Sequence, residues 1–144
     1  MFRMQSLYPE EIVSPMRDEL TSVGFDELRT AEEVDDLFKD QKGTTMVVVN
    51  SVCGCAAGNA RPGIRMALKN DVIPDKLTTV FAGVDREATE RARSYFLGYP
   101  PSSPSIALFK DGQLVHFVPR MSIEGYMPEE IAANLKQAFE TYCK

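Results

Sequence analysis

The chain has no tryptophan, a single histidine and only three cysteines among its 144 residues. An odd and small cysteine count cannot staple a secreted disulfide scaffold, so these sulfurs are read as reduced thiols whose value is chemical. Positive charge is also in short supply. Sixteen lysines and arginines face 21 aspartates and glutamates, for a net charge of -5, whereas a nucleic-acid partner calls for a basic face. No apolar run reaches membrane-spanning length. The first twenty residues include Arg3, Glu10, Glu11, Arg17, Asp18 and Glu19, which leaves no signal-peptide core. Internal repeats, low-complexity tracts and interior linkers are missing as well. The remainder is ordinary for a globular protein, with 44% hydrophobic and 26% charged residues. The expectation is one domain over 1–144, with 1–24 as an N-terminal helical extension. The expected location is the cytoplasm, where thiols stay reduced unless their chemistry is in use.

Against that background one stretch stands out: Val47-Val48-Val49-Asn50-Ser51-Val52-Cys53-Gly54-Cys55-Ala56-Ala57-Gly58. A β-branched apolar run suits a central strand covered on both faces. It leads directly into two cysteines one residue apart, at the mouth of a predicted helix. Unpaired backbone N–H groups and the positive dipole end of a helix favour thiolate over thiol. Since the thiolate is the reactive form, the stretch reads as a redox or nucleophilic centre.

The flanking sequence supplies the frame. Pro9-Glu10-Glu11 opens a predicted helix with Ile12, Met16, Leu20 and Val23 at near-helical spacing. Pro15 predicts a kink in it, or a restart with Ser14 as N-cap. Gly24 ends it, a short strand fits 25–28, and Thr30 to Glu33 matches a capping box for a helix with Val34, Leu37 and Phe38 on its apolar face. Gly43 precedes the strand expected over about 45–50. A helix after the cysteines, with Ala60, Ile64, Ala67 and Leu68 on one face, is expected to kink near Pro62. A strand over 77–82 follows, then a helix capped by Asp85 that carries Ala88, Ala92, Tyr95 and Phe96 and stops at Gly98. The prolines of Tyr99-Pro100-Pro101-Ser102-Ser103-Pro104 predict a loop. Lys110-Asp111-Gly112 between strands 105–109 and 113–118 predicts a hairpin. The last helix opens at Pro128-Glu129-Glu130, with Ile131, Leu135, Ala138, Phe139 and Tyr142 on one stripe. The fold class is α/β: a helix, then βαβαββα, with parallel crossovers first and an antiparallel hairpin after.

That order, with cysteines at a strand-to-helix junction and Ser103-Pro104-Ser105-Ile106-Ala107-Leu108-Phe109-Lys110-Asp111-Gly112 downstream, resembles the thioredoxin fold. In that superfamily the proline before the hairpin strand is cis and lies against the active-site sulfur, and Pro104 occupies the matching place. Within the superfamily three segments closely resemble the bacilliredoxin family: Asn50-Ser51-Val52-Cys53-Gly54-Cys55-Ala56-Ala57-Gly58, Pro101-Ser102-Ser103-Pro104-Ser105 and Val115-His116-Phe117-Val118-Pro119-Arg120. The likeness extends from Val13-Ser14-Pro15-Met16-Arg17 to Cys143. Bacilliredoxins are bacterial proteins that remove the small thiol bacillithiol from mixed disulfides on other proteins, and some members are described as weak disulfide isomerases. The resemblance implies Cys53 and Cys55 as catalytic residues and Gly54, Ser103 and Pro104 as substrate-binding ones. It implies S-bacillithiolated client proteins as partners and bacillithiol as thiol co-substrate. No tightly bound cofactor, metal, nucleic acid or membrane is expected.

The residues themselves qualify that picture. Side chains two apart on a regular helix point roughly 200° away from each other, so a Cys53–Cys55 bridge is expected to be strained and easily reduced. Gly54 would ease the tight turn. The two-residue spacer, the preceding tryptophan and the buried strand acid usual in thioredoxins are missing, which speaks against general disulfide-reductase activity. The same thiols could instead be inert core residues, or could ligate a metal or sense oxidation with His116 or Cys143 completing the site. A lone Cys-x-Cys is weak evidence for that. His116 alternates with apolar residues and reads as packing or solvated. Arg61 and Arg65 lie one helical turn apart, where they could pair with a bacillithiol carboxylate, although a solvated helix face is the plainer reading.

Overall fold

A computed structural model of the chain describes residues 4–40 and 42–144. Its elements run α1 (Glu10–Thr21), β1 (Asp26–Glu27), α2 (Ala31–Lys39), β2 (Thr44–Asn50), α3 (Arg61–Ala67), β3 (Lys76–Phe81), α4 (Arg86–Arg93), β4 (Ser105–Lys110), β5 (Gln113–Val118) and α5 (Pro128–Tyr142). From β2 onward this is the expected βαβαββα order, with α1, β1 and α2 ahead of it. The five strands form one mixed sheet in the order β1-β3-β2-β4-β5. β2 pairs in parallel with β3 and antiparallel with β4, which continues through the hairpin into β5. Asp111 and Gly112 at the hairpin turn both have positive φ, as a two-residue turn matched to strand twist requires.

β2 is central and all seven of its residues are buried. Its pleat sends Met46 and Val48 into a core with Leu20, Ile64, Ile106, Leu108, Leu135 and Phe139, beneath α3 and α5. Val47 and Val49 enter a second core on the opposite face, with Val34, Val80, Ala88, Ala92 and Phe109 beneath α2 and α4. Each buried valine is worth roughly 1.5–3 kcal/mol of transfer free energy. The apolar run therefore anchors the strand whose carboxyl end presents the cysteines.

Several expectations change in detail. α1 runs through Pro15 without restarting at Ser14, because Pro15 and Glu11, whose carbonyl loses its partner, both face solvent. Its inward stripe is Val13, Arg17 and Leu20, while Ile12 is exposed. Arg17 docks the helix by hydrogen bonds to the carboxylates of Glu10, Glu27 and Asp85, with its guanidinium 5.4 Å from the centroid of the Phe81 ring. Burial opposes the charge of Arg17, but the carboxylates outweigh it and hold the guanidinium fully ionised. Asp85 precedes α4 as expected but makes no side-chain cap, because its carboxylate is committed to Arg17 and Arg29. α4 ends at Arg93, short of Tyr95 and Phe96. Gly24, with φ of +106°, closes α1 as the sequence implies, with Phe25 N–H bonding back to Leu20 O. The Thr30–Glu33 capping box also forms.

Candidate active site

The segment after β2 is short and tightly held. Asn50 Oδ1 accepts the Ser51 N–H at 2.8 Å and an Arg61 Nη1 hydrogen bond at 2.9 Å. Arg61 Nη1 also donates to Ser51 O at 2.8 Å, and Asn50 Nδ2 donates to Met16 O at 3.3 Å. Arg61 is only 1% exposed. The face that it shares with Arg65 lies under α1, where Arg65 donates to Glu19 O at 2.7 Å. The solvated helix face expected for these arginines is thus overturned at Arg61, which is buried, and holds at Arg65, which stays exposed beside α1. Buried Arg61 is a strut beneath the cysteine loop, out of reach of any ligand carboxylate.

Cys53 stands immediately before the first helical residue, Gly54, and its carbonyl accepts the N–H groups of Ala56 and Ala57, each at 3.1 Å. The helix then passes through a single π-turn, Ala56–Ala60, where Arg61 N–H bonds Ala56 O five residues back. This wide turn, followed by Pro62 near the start of α3, replaces the simple proline kink expected there. Extra residues of this kind recur at functional sites.

With Cys53 outside the regular helix, the divergence expected of residues two apart does not apply. The two Sγ atoms lie 2.8 Å apart. Nor does the turn itself require glycine: Gly54 has no positive φ, and a Cβ there would meet nothing within 4 Å. It is exposed, and leaves open space beside the sulfurs.

The two thiols differ in acidity. Partial burial works against ionising Cys53, but the Cys55 thiol, the Ser51 hydroxyl, the Ala56 N–H and the charge of Arg120 outweigh it and bring the group below the ordinary thiol value. Cys55 moves the other way. Burial raises it first, and donation to Cys53 and the negative charge that develops there raise it further, against the pull of Arg120. Cys53 is therefore the more acidic thiol of the pair and Cys55 the less.

The predicted loop arrives at the same end of the sheet. Ser105 pairs with Val49, so Ser103 and Pro104 lie beside the strand end that carries Cys53. The Ser103-Pro104 peptide bond is cis and Pro104 is buried. Arg120, just beyond β5, donates through Nη1 to Ser103 O at 3.3 Å and through Nε to Glu124 Oε2 at 2.8 Å. No role for Arg120 was predicted, although a signal was there. A hairpin that pairs Val118 with Ile106 necessarily returns the next residues to the loop before β4.

His116 and Cys143 lie elsewhere. His116 Nε2 meets Asn134 Oδ1 at 2.7 Å between β5 and α5. Cys143, raised by burial and by the charge of Asp75, meets the Thr44 hydroxyl at the opposite end of β2 from Cys53. That strand spans seven residues, or about 20 Å. Among the described residues no three His, Cys, Asp or Glu side chains gather as a metal site. Among the same residues no helix is long and apolar enough to cross a membrane.

The comparisons with known proteins agree with this geometry. A family model described as disulphide isomerase matches residues 8–143. A bacilliredoxin of Koribacter versatilis is 57% identical over 95% of this chain and 94% of its own. One from Geobacillus kaustophilus is 56% identical over 94% of each chain, and one from Staphylococcus aureus is 51% identical over 96% of this chain and 94% of its own. Among solved structures, the thioredoxin of Malassezia sympodialis superposes with a TM-score of 0.55 at 13% identity, covering 84% of this chain and 92% of that one. Mitochondrial thioredoxin 3 of Saccharomyces cerevisiae gives 0.53 at 17% identity, over 85% and 98%. Those likenesses establish the thioredoxin-like fold.

Proposed function

From a chain that belongs to the bacilliredoxin family and is a thiol–disulfide oxidoreductase, we propose that the physiological reaction is removal of bacillithiol from S-bacillithiolated proteins in a bacterial cytoplasm. The observation that carries this reading is the unequal thiol pair, with sulfurs 2.8 Å apart, Cys53 the more acidic and Cys55 the less.

In the first step the Cys53 thiolate attacks the bacillithiol sulfur of the client's mixed disulfide. A Cys53–bacillithiol bond forms as the client S–S bond breaks, and the client leaves as thiolate and takes a proton from water. Two resolutions are balanced. A second bacillithiol thiolate can attack the bacillithiol sulfur of the adduct, which gives bacillithiol disulfide and frees the Cys53 thiolate. Alternatively, Cys55 loses its proton and attacks Cys53, releasing bacillithiol thiolate. The resulting Cys53–Cys55 bridge then requires two electrons from an external thiol reductant. The contact between the sulfurs supports the second route.

Substrate binding falls to the open side of this centre. Gly54 leaves room for the incoming disulfide. Ser103 and Pro104 lie beside the strand end that carries Cys53, where the loop backbone would hold the incoming disulfide in extended form. The description of the matching family model favours a second reading, isomerisation of protein disulfides. One experiment separates them. A client is presented with bacillithiol, with glutathione or with an internal disulfide, and release rates are compared. Fastest release of bacillithiol is expected, and equal or faster turnover of the internal disulfide would favour the isomerase.

A further inference from the structure

Arg120 carries more hydrogen-bonding capacity than its neighbours use. A guanidinium has five N–H donors in a rigid fork. Here Nε is taken by Glu124 and one Nη1 hydrogen by Ser103 O. Among the described residues no further hydrogen bond or ion pair of this fork is recorded, and the side chain is 46% exposed.

Its surroundings place the side chain at the cysteine end of the sheet. Arg120 N–H donates to Ser102 Oγ at 3.3 Å, so backbone and side chain both clasp the loop that ends in cis Pro104. From the other side Arg93 Nη2 donates to Ser102 O at 3.3 Å. Two guanidiniums thus hold consecutive carbonyls of the loop, Arg93 half-buried and Arg120 open to solvent. The positive charge of Arg120 also reaches both cysteines, in a chain whose net charge is -5.

We propose that Arg120 is the specificity-determining residue for the small-thiol half of the substrate, pairing its free guanidinium edge with a carboxylate of the cap while Cys53 attacks the cap's sulfur. The idea rests on the small-thiol reading above, and more narrowly on the cap being anionic. Held by its carboxylate, the cap turns its own sulfur, rather than the client's, toward Cys53, so the cap is transferred and the client is freed. Glu124 draws on the same guanidinium through Nε, and its negative charge opposes the incoming carboxylate.

The test uses one client peptide capped with either 3-mercaptopropionate or 2-mercaptoethanol, which are similar in size but anionic and neutral respectively. The readout is the ratio of kcat/KM for the two caps. Because both caps are measured on the same preparation, any loss of folded protein or thiolate reactivity cancels in the ratio. The natural chain should prefer the anionic cap about two- to fivefold, as charge-assisted pairing at a half-exposed site supports. Arg120→Gln should bring the ratio near one, mainly through a higher KM for the anionic cap. Glu124→Gln should increase the ratio. Arg120→Lys, which keeps the charge without the fork, should fall between. The proposal is overturned if the natural chain shows no preference, or if Arg120→Gln slows both caps equally. Failure of bacillithiol to outpace glutathione in the earlier comparison would sink the small-thiol assignment and leave this ratio standing.

Discussion

At the scale of single residues, the chemistry depends on two identical side chains being made unequal. Cys53 gains the donors of the loop and helix mouth, whereas Cys55 is itself a donor and faces the charge that develops on its neighbour. Ser51 is the most economical place to test this, because its Oγ lies 3.3 Å from Cys53 N and its hydroxyl supports the thiolate. Ser51→Ala should move the acid limb of the pH–rate profile upward. The sign follows from removing a group that favours the charged form, so less thiolate is present at a given pH. Uncapping should then be several-fold slower in mildly acidic buffer. It should be equal or faster at high pH, because a more basic thiolate is the better nucleophile. An unchanged profile would show that Ser51 only shapes the loop. The acidity of Cys53 was legible in the sequence, since a thiol at a helix mouth is a local feature. Arg120 was legible only indirectly, through the predicted hairpin whose return brings it to the loop before β4.

At the scale of elements, the cysteine helix owes its position to how closely it approaches α5. A Cβ on Gly63 would lie 2.8 Å from Ile131 Cγ2 and 3.0 Å from Pro128 O. A backbone oxygen cannot swing aside as a flexible side chain can. Gly63→Ala should therefore cost about 1–3 kcal/mol, read as a lower denaturant midpoint at unchanged m. Gly58→Ala, in the same helix with nothing within 4 Å, should be neutral or slightly stabilising. Equal effects at the two glycines would contradict this packing. Strands, hairpin and capping box were legible because each is written in adjacent residues. The π-turn was not: Pro62 signalled only that the helical ladder must be interrupted, and a kink satisfies that equally well. The inward face of α1 was misjudged for a related reason. Its key residue, Arg17, is a cation made buriable by Glu10 of its own helix and by carboxylates from two other places in the chain, a circumstance that apolar periodicity does not register.

At the scale of the whole molecule, one fully buried strand separates two cores and delivers the reactive sulfurs to its carboxyl end, where the Ser103-Pro104 loop and Arg120 converge. Cys143 belongs to the other end of that strand, about 20 Å from the cysteine pair. The general plan was readable because β2 and the hairpin set the topology. The arginines that stiffen the site were not, since their partners come from remote segments. The central claim is that Cys53 takes the cap and Cys55 follows it. Its most direct test is the intact mass of the Cys55→Ser protein after exposure to a bacillithiolated client. One bacillithiol should be found on Cys53, with the client returned as free thiol. Full turnover by the Cys53→Ser protein, with the adduct on Cys55, would contradict the account.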